Sequence, residues 1–204
     1  MPVFADGARP LVRLARMTRI VAGTVGGRTL QVPSKGTRPT SERTREAIFS
    51  RLAHYEVLDG ARVLDLYAGS GALGLEAASR GAVAVTLVDS ARGAVDVARR
   101  NVASLGLGAT VRVVGDDAAR FAAGLAAAPG EPLDLVFLDP PYDLSEASLA
   151  GVLAALAAPG VLSPDAVVVV ERSTRSAEPA WPAGLALLAR KDYGETAVYY
   201  ADPS

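Results

Sequence analysis

The stretch that decides the fold is LDLYAGSGALGLE, residues 64–76, where an apolar, β-prone run ends in three glycines. Gly69, Gly71 and Gly74 have the spacing G-x-G-x-x-G. Glycines at the exit of a strand allow a tight turn and let a ligand lie against bare backbone at the N-terminus of the next helix. The stretch therefore predicts a strand, a turn that holds a nucleotide-like cofactor, and a helix. Ordinary strand–helix packing is the competing interpretation.

Apolar runs and helical segments alternate on both sides of this turn. The predicted strands are RVLDLY (62–67), AVTLVD (84–89), TVRVV (110–114), LDLVFLD (133–139) and AVVVVE (166–171), and the predicted helices cover 71–80, 91–105, 116–127 and 146–157. The runs show little polar alternation, which indicates strands buried on both faces of a mainly parallel sheet. The segment LALLARKDYGETAVYYAD (185–202) holds two strands too close for a helical crossover, so we expect an antiparallel edge hairpin there.

The front of the chain has a different organisation and charge. TRIVAGTVGGRTLQVP (18–33) predicts a hairpin around Gly26 and Gly27, and Thr40 or Ser41 can cap a helix that runs through Ala53. Residues 9–51 carry ten Lys and Arg against two acids, whereas the rest of the chain carries eleven against twenty. So uneven a distribution of charge favours a polyanionic binding partner for this segment over the alternative that its basic residues only form a solvated surface. We divide the chain into a disordered extension (1–17), a basic lobe (18–56) and an α/β domain (57–204).

Composition excludes several other classes of protein. The chain of 204 residues has no cysteine and one histidine, which rules out disulfides, thiolate metal sites and cysteine nucleophiles. Acids do not cluster in a ligand-like way, so we expect no metal. The apolar runs are too short to cross a bilayer. The composition is compatible with a reducing cytoplasm, and nothing in it demands more than a monomer.

Acids at the ends of the predicted strands bear on the choice of cofactor. Asp89 ends the second predicted strand, where it can accept hydrogen bonds from the ribose hydroxyls of NAD or of S-adenosylmethionine alike. Asp65, four residues before Gly69, would repel a pyrophosphate but suits the ammonium and sulfonium of S-adenosylmethionine. After the third strand, we expect Asp116 to cap the next helix and Asp117 to accept from an adenine amino group.

The second informative stretch is FLDPPYD, residues 137–143, at the end of the fourth predicted strand. An exocyclic amine on a nucleobase is a poor nucleophile because its lone pair is delocalised into the ring. The Asp139 carboxylate and the Pro140 carbonyl can both accept from its N–H groups, which aims the lone pair and offsets the charge that develops on nitrogen. Pro140 and Pro141 stiffen the turn, and Tyr142 can stack on a base swung out of its helix. The alternative is a proline turn followed by a core tyrosine.

These segments resemble the RsmD family, bacterial methyltransferases that act on a guanine N2 amine of 16S ribosomal RNA. The glycine turn and DPPY are shared by many amino-methyltransferases, and RIVAGTVGGRTLQVP (19–33), TRPTSERTREAIFSRL (37–52) and YGETAVYY (193–200) are more specific. The resemblance covers Thr18 to Asp202. It implies the seven-stranded, Rossmann-like class I fold of S-adenosylmethionine-dependent methyltransferases, with a C-terminal antiparallel edge hairpin and a small N-terminal hairpin-and-helix lobe. The implied substrate is 16S rRNA, in the small ribosomal subunit or an assembly intermediate.

The resemblance also assigns residues. The implied cofactor site is Asp65, Tyr67, Ala68, Gly69, Ser70, Gly71, Asp89, Asp117 and Ala118, and the implied catalytic motif is Asp139, Pro140, Pro141 and Tyr142. Many relatives carry glutamate at the position of Asp89, and the shorter acid can still accept from ribose. Contacts with RNA phosphates are expected from Arg19, Arg28, Lys35, Arg38, Arg43 and Arg45. For Arg43 and Arg45, pairing with Glu42 or Glu46 along the helix is an equal alternative. We expect His54 on the surface, and Tyr193 and Trp181 in packing roles.

Three other functions share part of this pattern. An N6-adenine methyltransferase acting on RNA or DNA would use the same motif, because adenine presents a similar amine. DNA enzymes of that kind need a sizeable target-recognition domain, for which the chain has little room. An NAD(P)-dependent dehydrogenase would use the glycine turn and Asp89 but leaves DPPY unexplained. A non-catalytic RNA-binding protein that retains the fold is the last alternative.

Overall fold

A mixed sheet with helices on both faces organises the molecule. The computed structural model describes residues 17–33 and 41–204. In chain order, the elements are β1 (Met17–Arg19), β2 (Thr29–Gln31), α1 (Glu42–His54), β3 (Arg62–Leu66), α2 (Ala72–Ser79), β4 (Ala84–Asp89), α3 (Arg92–Leu105), β5 (Val111–Gly115), α4 (Ala118–Ala127), β6 (Leu133–Leu138), α5 (Glu146–Leu156), β7 (Leu162–Ser173), β8 (Leu185–Tyr193) and β9 (Thr196–Pro203).

The main sheet has seven strands in the order β5-β4-β3-β6-β7-β9-β8. The strands from β5 to β7 are parallel, and β9 runs antiparallel to both of its neighbours. A separate two-stranded ladder pairs β1 with β2, with Thr18 opposite Leu30. The predicted α/β class, the parallel strands, the antiparallel edge hairpin and the N-terminal hairpin are confirmed.

Alternate residues of the central strands face two separate cores, as the twofold period of a strand requires. On β6, Leu135 and Phe137 face one core, and Val136 and Leu138 face the other. Helices α1, α2 and α3 cover the first core, and α4 and α5 cover the second. Phe49 of α1 packs against Phe137 with ring centroids 5.6 Å apart, so α1 lies over β6.

The helix and strand boundaries differ from prediction at a few places. Ser41 caps α1 as expected, because its Oγ accepts from the Thr44 amide at 3.0 Å; Thr40, the other candidate, lies outside the described residues. β1 begins at Met17, so the predicted extension is left with residues 1–16, which also lie outside the described part. β3 stops before Tyr67, whose φ of 63° cannot continue a strand. β7 begins at Leu162, where a bulge lets it pair with Leu133.

The β1–β2 hairpin docks on α2 through buried polar contacts. The carboxylate of Glu76, which is fully buried, accepts from the amides of Val21 and Ala22 at 2.7 and 3.0 Å. Ser79 Oγ donates to the Ala22 carbonyl at 2.6 Å. At Gly23, φ is +85° and a Cβ would lie 1.9 Å from the Ser79 carbonyl oxygen, so only glycine fits this approach. These contacts fix the position of the hairpin on α2.

Asn101 of α3 joins the hairpin to the glycine turn. Its Oδ1 accepts from the Gln31 amide at 2.9 Å, and its Nδ2 donates to the carbonyls of Gln31 at 3.0 Å and of Ser70 at 2.9 Å. Asn101 is buried, so each of these bonds replaces one that water would otherwise make. The side chain sets the distance between β2 and the turn that follows β3.

We predict that Asn101→Ala lowers the free energy of unfolding by about 1–3 kcal/mol, because the buried Ser70 carbonyl and the partly buried backbone groups of Gln31 lose their hydrogen bonds to its side chain. Urea denaturation measures the change. Hydrogen exchange at the Gln31 amide should also accelerate. Ser104→Ala, on the exposed side of the same helix, is the control and should change stability by less than about 0.5 kcal/mol. Equal midpoints for wild type and Asn101→Ala would contradict the assigned contact.

Candidate active site

The candidate site lies at the carboxyl edge of the sheet, between β3 and β6. These strands are neighbours, but the chain continues from β3 to β4 on one side and from β6 to β7 on the other. Such a reversal of strand order opens a crevice in which α/β sheets bind ligands. The glycine turn after β3 and the DPPY segment after β6 therefore face the same crevice, although the paired residues Leu66 and Leu138 lie 72 positions apart in the sequence.

The glycine turn has three positions with positive φ in a row of five residues. These are Tyr67 at 63°, Gly69 at 56° and Gly71 at 80°. A Cβ at Gly69 would meet nothing closer than the Tyr67 carbonyl oxygen at 4.0 Å, so the backbone there faces open space. At Gly71 and Gly74, a Cβ would lie 2.7 and 2.3 Å from the side chain of Leu87. Gly69 thus fits the cradle of a ligand, whereas the other two glycines bring α2 close to β4.

Asp89, at the end of β4, supports the same turn. Its Oδ2 accepts from the Gly69 amide at 2.8 Å, and its Oδ1 accepts from the Ala91 amide at 2.8 Å. A carboxylate has about four acceptor positions, so both oxygens can still accept from ribose hydroxyls. The structure places the predicted ribose acid directly beside the glycine that faces open space.

Asp65 is a buried carboxyl group with one described backbone donor. It accepts from the Gly74 amide at 2.9 Å, in the first turn of α2, where Gly71 offers no side-chain cap. Burial raises the pKa of Asp65 to about 8; the Gly74 hydrogen bond opposes this shift, and the negative charges of Asp139 and Asp89 add to it. A bound cation would reverse the balance and favour the carboxylate. The chemistry of this group therefore fits the ammonium and sulfonium predicted for the cofactor.

The prediction for the two aspartates between β5 and α4 was wrong in one respect. Asp117, and not Asp116, caps α4: its Oδ1 accepts from the Arg120 amide at 3.0 Å. The helix begins at Ala118, two residues later than predicted, which moves the cap to Asp117. Asp116 instead forms an ion pair with the Arg120 side chain one turn along. Asp117 also adds to the burial effect that raises the pKa of Tyr67, so its carboxylate lies near the glycine turn.

The DPPY segment follows β6 and forms one wall of a cleft. Asp139 is half-buried, Pro140 is buried, and Tyr142 is 56% exposed. The Leu144 amide donates to the Pro141 carbonyl at 3.0 Å, which closes a turn. An aromatic ring so exposed at the rim of a cleft is well placed to stack on a flat ligand.

The cleft beside DPPY has a volume of about 280 Å³. It is lined by Ser41, Thr44, Asp139, Tyr142, Glu171, Arg172, Tyr193, Gly194, Glu195 and Thr196. Three parts of the chain meet there: the start of α1, the ends of β6 and β7, and the turn between β8 and β9. Tyr193 both lines the cleft and packs against the first core, whereas packing alone was predicted.

The prediction that Arg45 contacts RNA was wrong. Its side chain is fully buried, its guanidinium donates to the Arg19 carbonyl, and its Nε lies 3.6 Å from Glu76 Oε2. Neither Glu42 nor Glu46, the helical partners considered, is the acid in this ion pair. The helix period explains the difference, because Arg45 lies one turn before Phe49 on the face that covers the sheet.

The other residues predicted to contact RNA differ in their exposure and partners. Arg19, Arg28 and Arg43 are exposed. Arg19 pairs with Glu42 at 3.0 Å, and Arg28 donates to a carbonyl of α3. Lys35 and Arg38 lie outside the described residues. As predicted, His54 is exposed. Trp181 is half-buried against the second core.

Sequence reasoning missed Glu76, Asn101, Glu171 and Arg172, which are all buried polar residues. A signal existed for Glu76, since it is the one charge in a helix, ALGLEAAS, whose other residues are small or apolar. A helix of that composition is buried, and a buried acid needs partners. Arg172 donates to the Leu144 carbonyl at 3.3 Å and pairs with Glu146, so it holds the segment that follows Tyr142.

Within residues 17–33 and 41–204, no group of three or more His, Asp or Glu is arranged to hold a metal ion. No helix in those same ranges has the length and apolar character needed to cross a membrane.

We predict that Arg45→Ala lowers the free energy of unfolding by about 3–5 kcal/mol, because it leaves the buried Glu76 carboxylate with less compensation. Urea denaturation measures the loss. Arg43→Ala, two residues earlier on the exposed face, is the matched control and should remain within about 0.5 kcal/mol of wild type. A similar small effect of both changes would show that Arg45 is not part of the core.

Known proteins resemble the chain over most of its length. The model of the family described as conserved hypothetical protein 95 matches residues 18–202. Ribosomal RNA small subunit methyltransferase D of Escherichia coli K12 is 39% identical over 180 residues, which cover 88% of this chain and 86% of that protein. The solved structure of yhhF from Escherichia coli, at 34% identity, covers 93% of this chain and 99% of that one with a TM-score of 0.81.

A more distant structure shares the fold. Magnesium protoporphyrin IX methyltransferase of Synechocystis, solved with bound S-adenosylmethionine, is 17% identical and has a TM-score of 0.61 over 84% of this chain and 87% of that one. The sheet order, the crevice between β3 and β6 and these matches agree with the class I methyltransferase fold. The chain therefore belongs to the family described as conserved hypothetical protein 95, which is the RsmD family that its motifs resemble.

Proposed function

We propose that this protein transfers a methyl group from S-adenosylmethionine to the exocyclic N2 amine of a guanine in 16S rRNA of the small ribosomal subunit. The observation that carries the proposal is the position of DPPY. Asp139 directly follows β6 at the same crevice as the glycine turn of β3, and its charge adds to the burial that raises the pKa of Asp65. A cofactor on the glycine turn and an amine on DPPY would thus lie side by side. The same substrate implies a cytoplasmic protein.

The residues around the glycine turn fit S-adenosylmethionine. Asp65 would hold its cationic end, and the amides and open backbone around Gly69 would hold its methionine part, with Tyr67, Ala68, Ser70 and Gly71 completing the turn. Asp89 would accept from the ribose hydroxyls, while Asp117 and the start of α4 at Ala118 would lie beside the adenine. The cofactor supplies a methyl group activated on a sulfonium. A dinucleotide fits less well, because Asp65 offers a pyrophosphate no positive charge and would repel it when ionised, whereas it would attract a cationic group.

DPPY would hold the amine by its hydrogens. The Asp139 carboxylate and the Pro140 carbonyl each accept from one N–H, so the nitrogen lone pair remains directed toward the methyl group. Asp139 also offsets the positive charge that develops on nitrogen, and it can receive the proton that the amine loses. Stabilisation of charge by a fixed acceptor requires neither a nucleophilic side chain nor a metal.

RNA would reach the cleft from the side of the N-terminal lobe. Tyr142 would stack on the extruded base and offset part of the unstacking cost, which is a few kcal/mol. The exposed Arg19, Arg28 and Arg43 would contact phosphates, which orients the RNA without reading its sequence. Lys35 and Arg38 remain proposed contacts on the strength of the sequence alone. The name of the Escherichia coli relative, a small-subunit rRNA methyltransferase, supports RNA over DNA as the substrate.

The deciding experiment uses small subunits from a strain that lacks the enzyme. Labelled methyl transfer from S-adenosylmethionine, followed by mass mapping of the modified nucleotide, identifies the acceptor atom. Label on a guanine N2 of 16S rRNA supports the proposal. Label on an adenine N6, or on DNA in preference to RNA, would instead support the N6-adenine methyltransferase.

Asp139→Ala should lower kcat by about 10²–10³-fold, because it removes the acceptor that orients the amine and stabilises its charge. Asp139→Asn should have an intermediate rate, since its amide oxygen can still accept one hydrogen bond. Isothermal titration with S-adenosylhomocysteine should show little change in cofactor affinity for either variant. Asp143→Ala, an exposed acid four residues further on, is the control and should keep wild-type activity. Unchanged turnover in Asp139→Ala would exclude the mechanism.

Cofactor affinity should rise with pH between about 6 and 7.5. Without a bound cation, Asp65 has a pKa of about 8 and is mostly protonated in this range, so binding of a cationic cofactor must release its proton. Each unit of pH below that pKa then costs up to about tenfold in affinity. Titration calorimetry with S-adenosylmethionine, in the absence of RNA and in buffers of different ionisation enthalpy, measures both the affinity and the proton release. Asp65→Asn should bind more weakly with a flat profile; an equal slope in that variant would assign the proton to another group.

A further inference from the structure

Glu171 occupies the position on β7 that corresponds to Asp139 on β6. The two strands are parallel, and their last paired residues are Leu138 and Val170, so Asp139 and Glu171 come next on adjacent strands. Neighbouring strands lie about 4.8 Å apart. The side chain of Glu171 is 4% exposed, which is unusual for an acid at the mouth of a cleft.

Glu171 also faces the same side of the sheet as Asp139. Val167 and Val169 belong to the first core, as Leu135 and Phe137 do, so the twofold period directs the next odd-numbered residue of each strand to that face. The cleft lining agrees, because it contains both acids together with the start of α1. Two carboxylates from adjacent strands therefore border the space beside DPPY.

Two sources of positive charge act on Glu171. Arg45 is buried between α1 and the sheet, and the Glu171 carboxylate is one of the acids whose field acts on its guanidinium. The N-terminus of α1, with Ser41 and Thr44, borders the cleft and presents the positive end of the helix dipole. Both features favour a carboxylate at this position over a neutral acid.

The Watson–Crick edge of guanine matches two adjacent acceptors. Beside its N2 amine, guanine carries the donor N1–H, so an amine held on Asp139 leaves a second donor next to it. Adenine differs at this point: the ring nitrogen beside its amine, N1, is an acceptor. A carboxylate would attract the first and repel the second, and a buried group left unpaired makes such discrimination large.

We propose that Glu171 is the residue that makes the enzyme specific for guanine, by accepting a hydrogen bond from N1–H while Asp139 and Pro140 hold the N2 amine. The inference rests on the proposed function and adds to it the group that distinguishes guanine from adenine. The carboxylate has about four acceptor positions, so this bond does not require that its other contacts be broken. Arg172, the next residue, also lines the cleft, but it is a donor and not an acceptor, and it positions the loop after Tyr142.

The test compares guanine with 2-aminopurine at the target position that mass mapping identifies. 2-Aminopurine keeps the amine at C2 but has an acceptor at N1 and lacks the oxygen at C6. The change in preference between wild type and a Glu171 variant therefore isolates the N1 contact, because the missing C6 oxygen affects both enzymes alike. Small subunits reconstituted with 16S rRNA of either kind compete in one reaction, and the ratio of the two methylated products is measured. Because both substrates meet the same preparation, the fraction of folded enzyme does not affect the ratio.

Wild type should prefer guanine, and Glu171→Gln should lower the preference about ten- to hundredfold, since its amide can donate to N1 of 2-aminopurine. Glu171→Asp keeps a carboxylate, but its shorter side chain places that carboxylate farther from N1. This variant should therefore methylate more slowly and still prefer guanine. An unchanged ratio in Glu171→Gln would overturn the assignment. Glu195→Gln, an exposed acid on the rim of the same cleft, is the control. An equal shift in that variant would also overturn it, because the general charge of the cleft would then explain the preference.

The experiment distinguishes an error in the proposed function from an error in the proposed role of Glu171. If wild type methylates guanine N2 and the Glu171→Gln ratio does not move, the function stands and the role of Glu171 is wrong. If wild type transfers no methyl group to guanine N2 at all, the proposed function is wrong, and the inference falls with it. Titration of each variant with S-adenosylhomocysteine shows whether the cofactor site has remained intact.

Discussion

The buried carboxylate of Glu76 is the group on which the arrangement of the two parts of the molecule depends. An acid removed from water must be compensated, and here the compensation comes from the amides of Val21 and Ala22, from Arg80, and from Arg45 of α1. One side chain of α2 therefore holds both the hairpin and the helix of the N-terminal lobe. The position of α1 over the sheet, and with it one wall of the cleft, follows from this contact.

The glycine turn is held from several directions at once. Asp89 accepts from the Gly69 amide of the turn, and Asp65 accepts from the Gly74 amide in the first turn of α2. Asn101 binds the Ser70 carbonyl and also binds Gln31 of the lobe. The glycine turn and the N-terminal lobe therefore share hydrogen bonds to one buried side-chain amide. Burial is the main reason that the pKa of Asp65 is high before any cation is bound, and the negative charges of Asp139 and Asp89 add to it.

Local signals predicted much of this molecule. The glycine spacing, the apolar runs and the Ser41 cap act over a few residues, so they identified the parallel strands, the edge hairpin and α1. The acids at the ends of β3, β4 and β6 could also be found, because they follow apolar strands directly. Positions that depend on packing could not. Arg45 carries a charge in a basic segment, and only the docking of α1 on Glu76 shows that it belongs to the core. The α4 cap was misplaced because two adjacent aspartates offer the same local chemistry.

By itself, the sequence determined that a glycine turn and a DPPY motif each follow a strand, and that the front of the chain is basic. Those properties depend on composition and short spacing. Only the tertiary structure decided that β3 and β6 are neighbours, that Glu171 comes next to Asp139, and that the start of α1 and the β8–β9 turn complete the cleft. Strand order and helix docking are set by the burial of apolar faces across the whole chain, which no short segment contains.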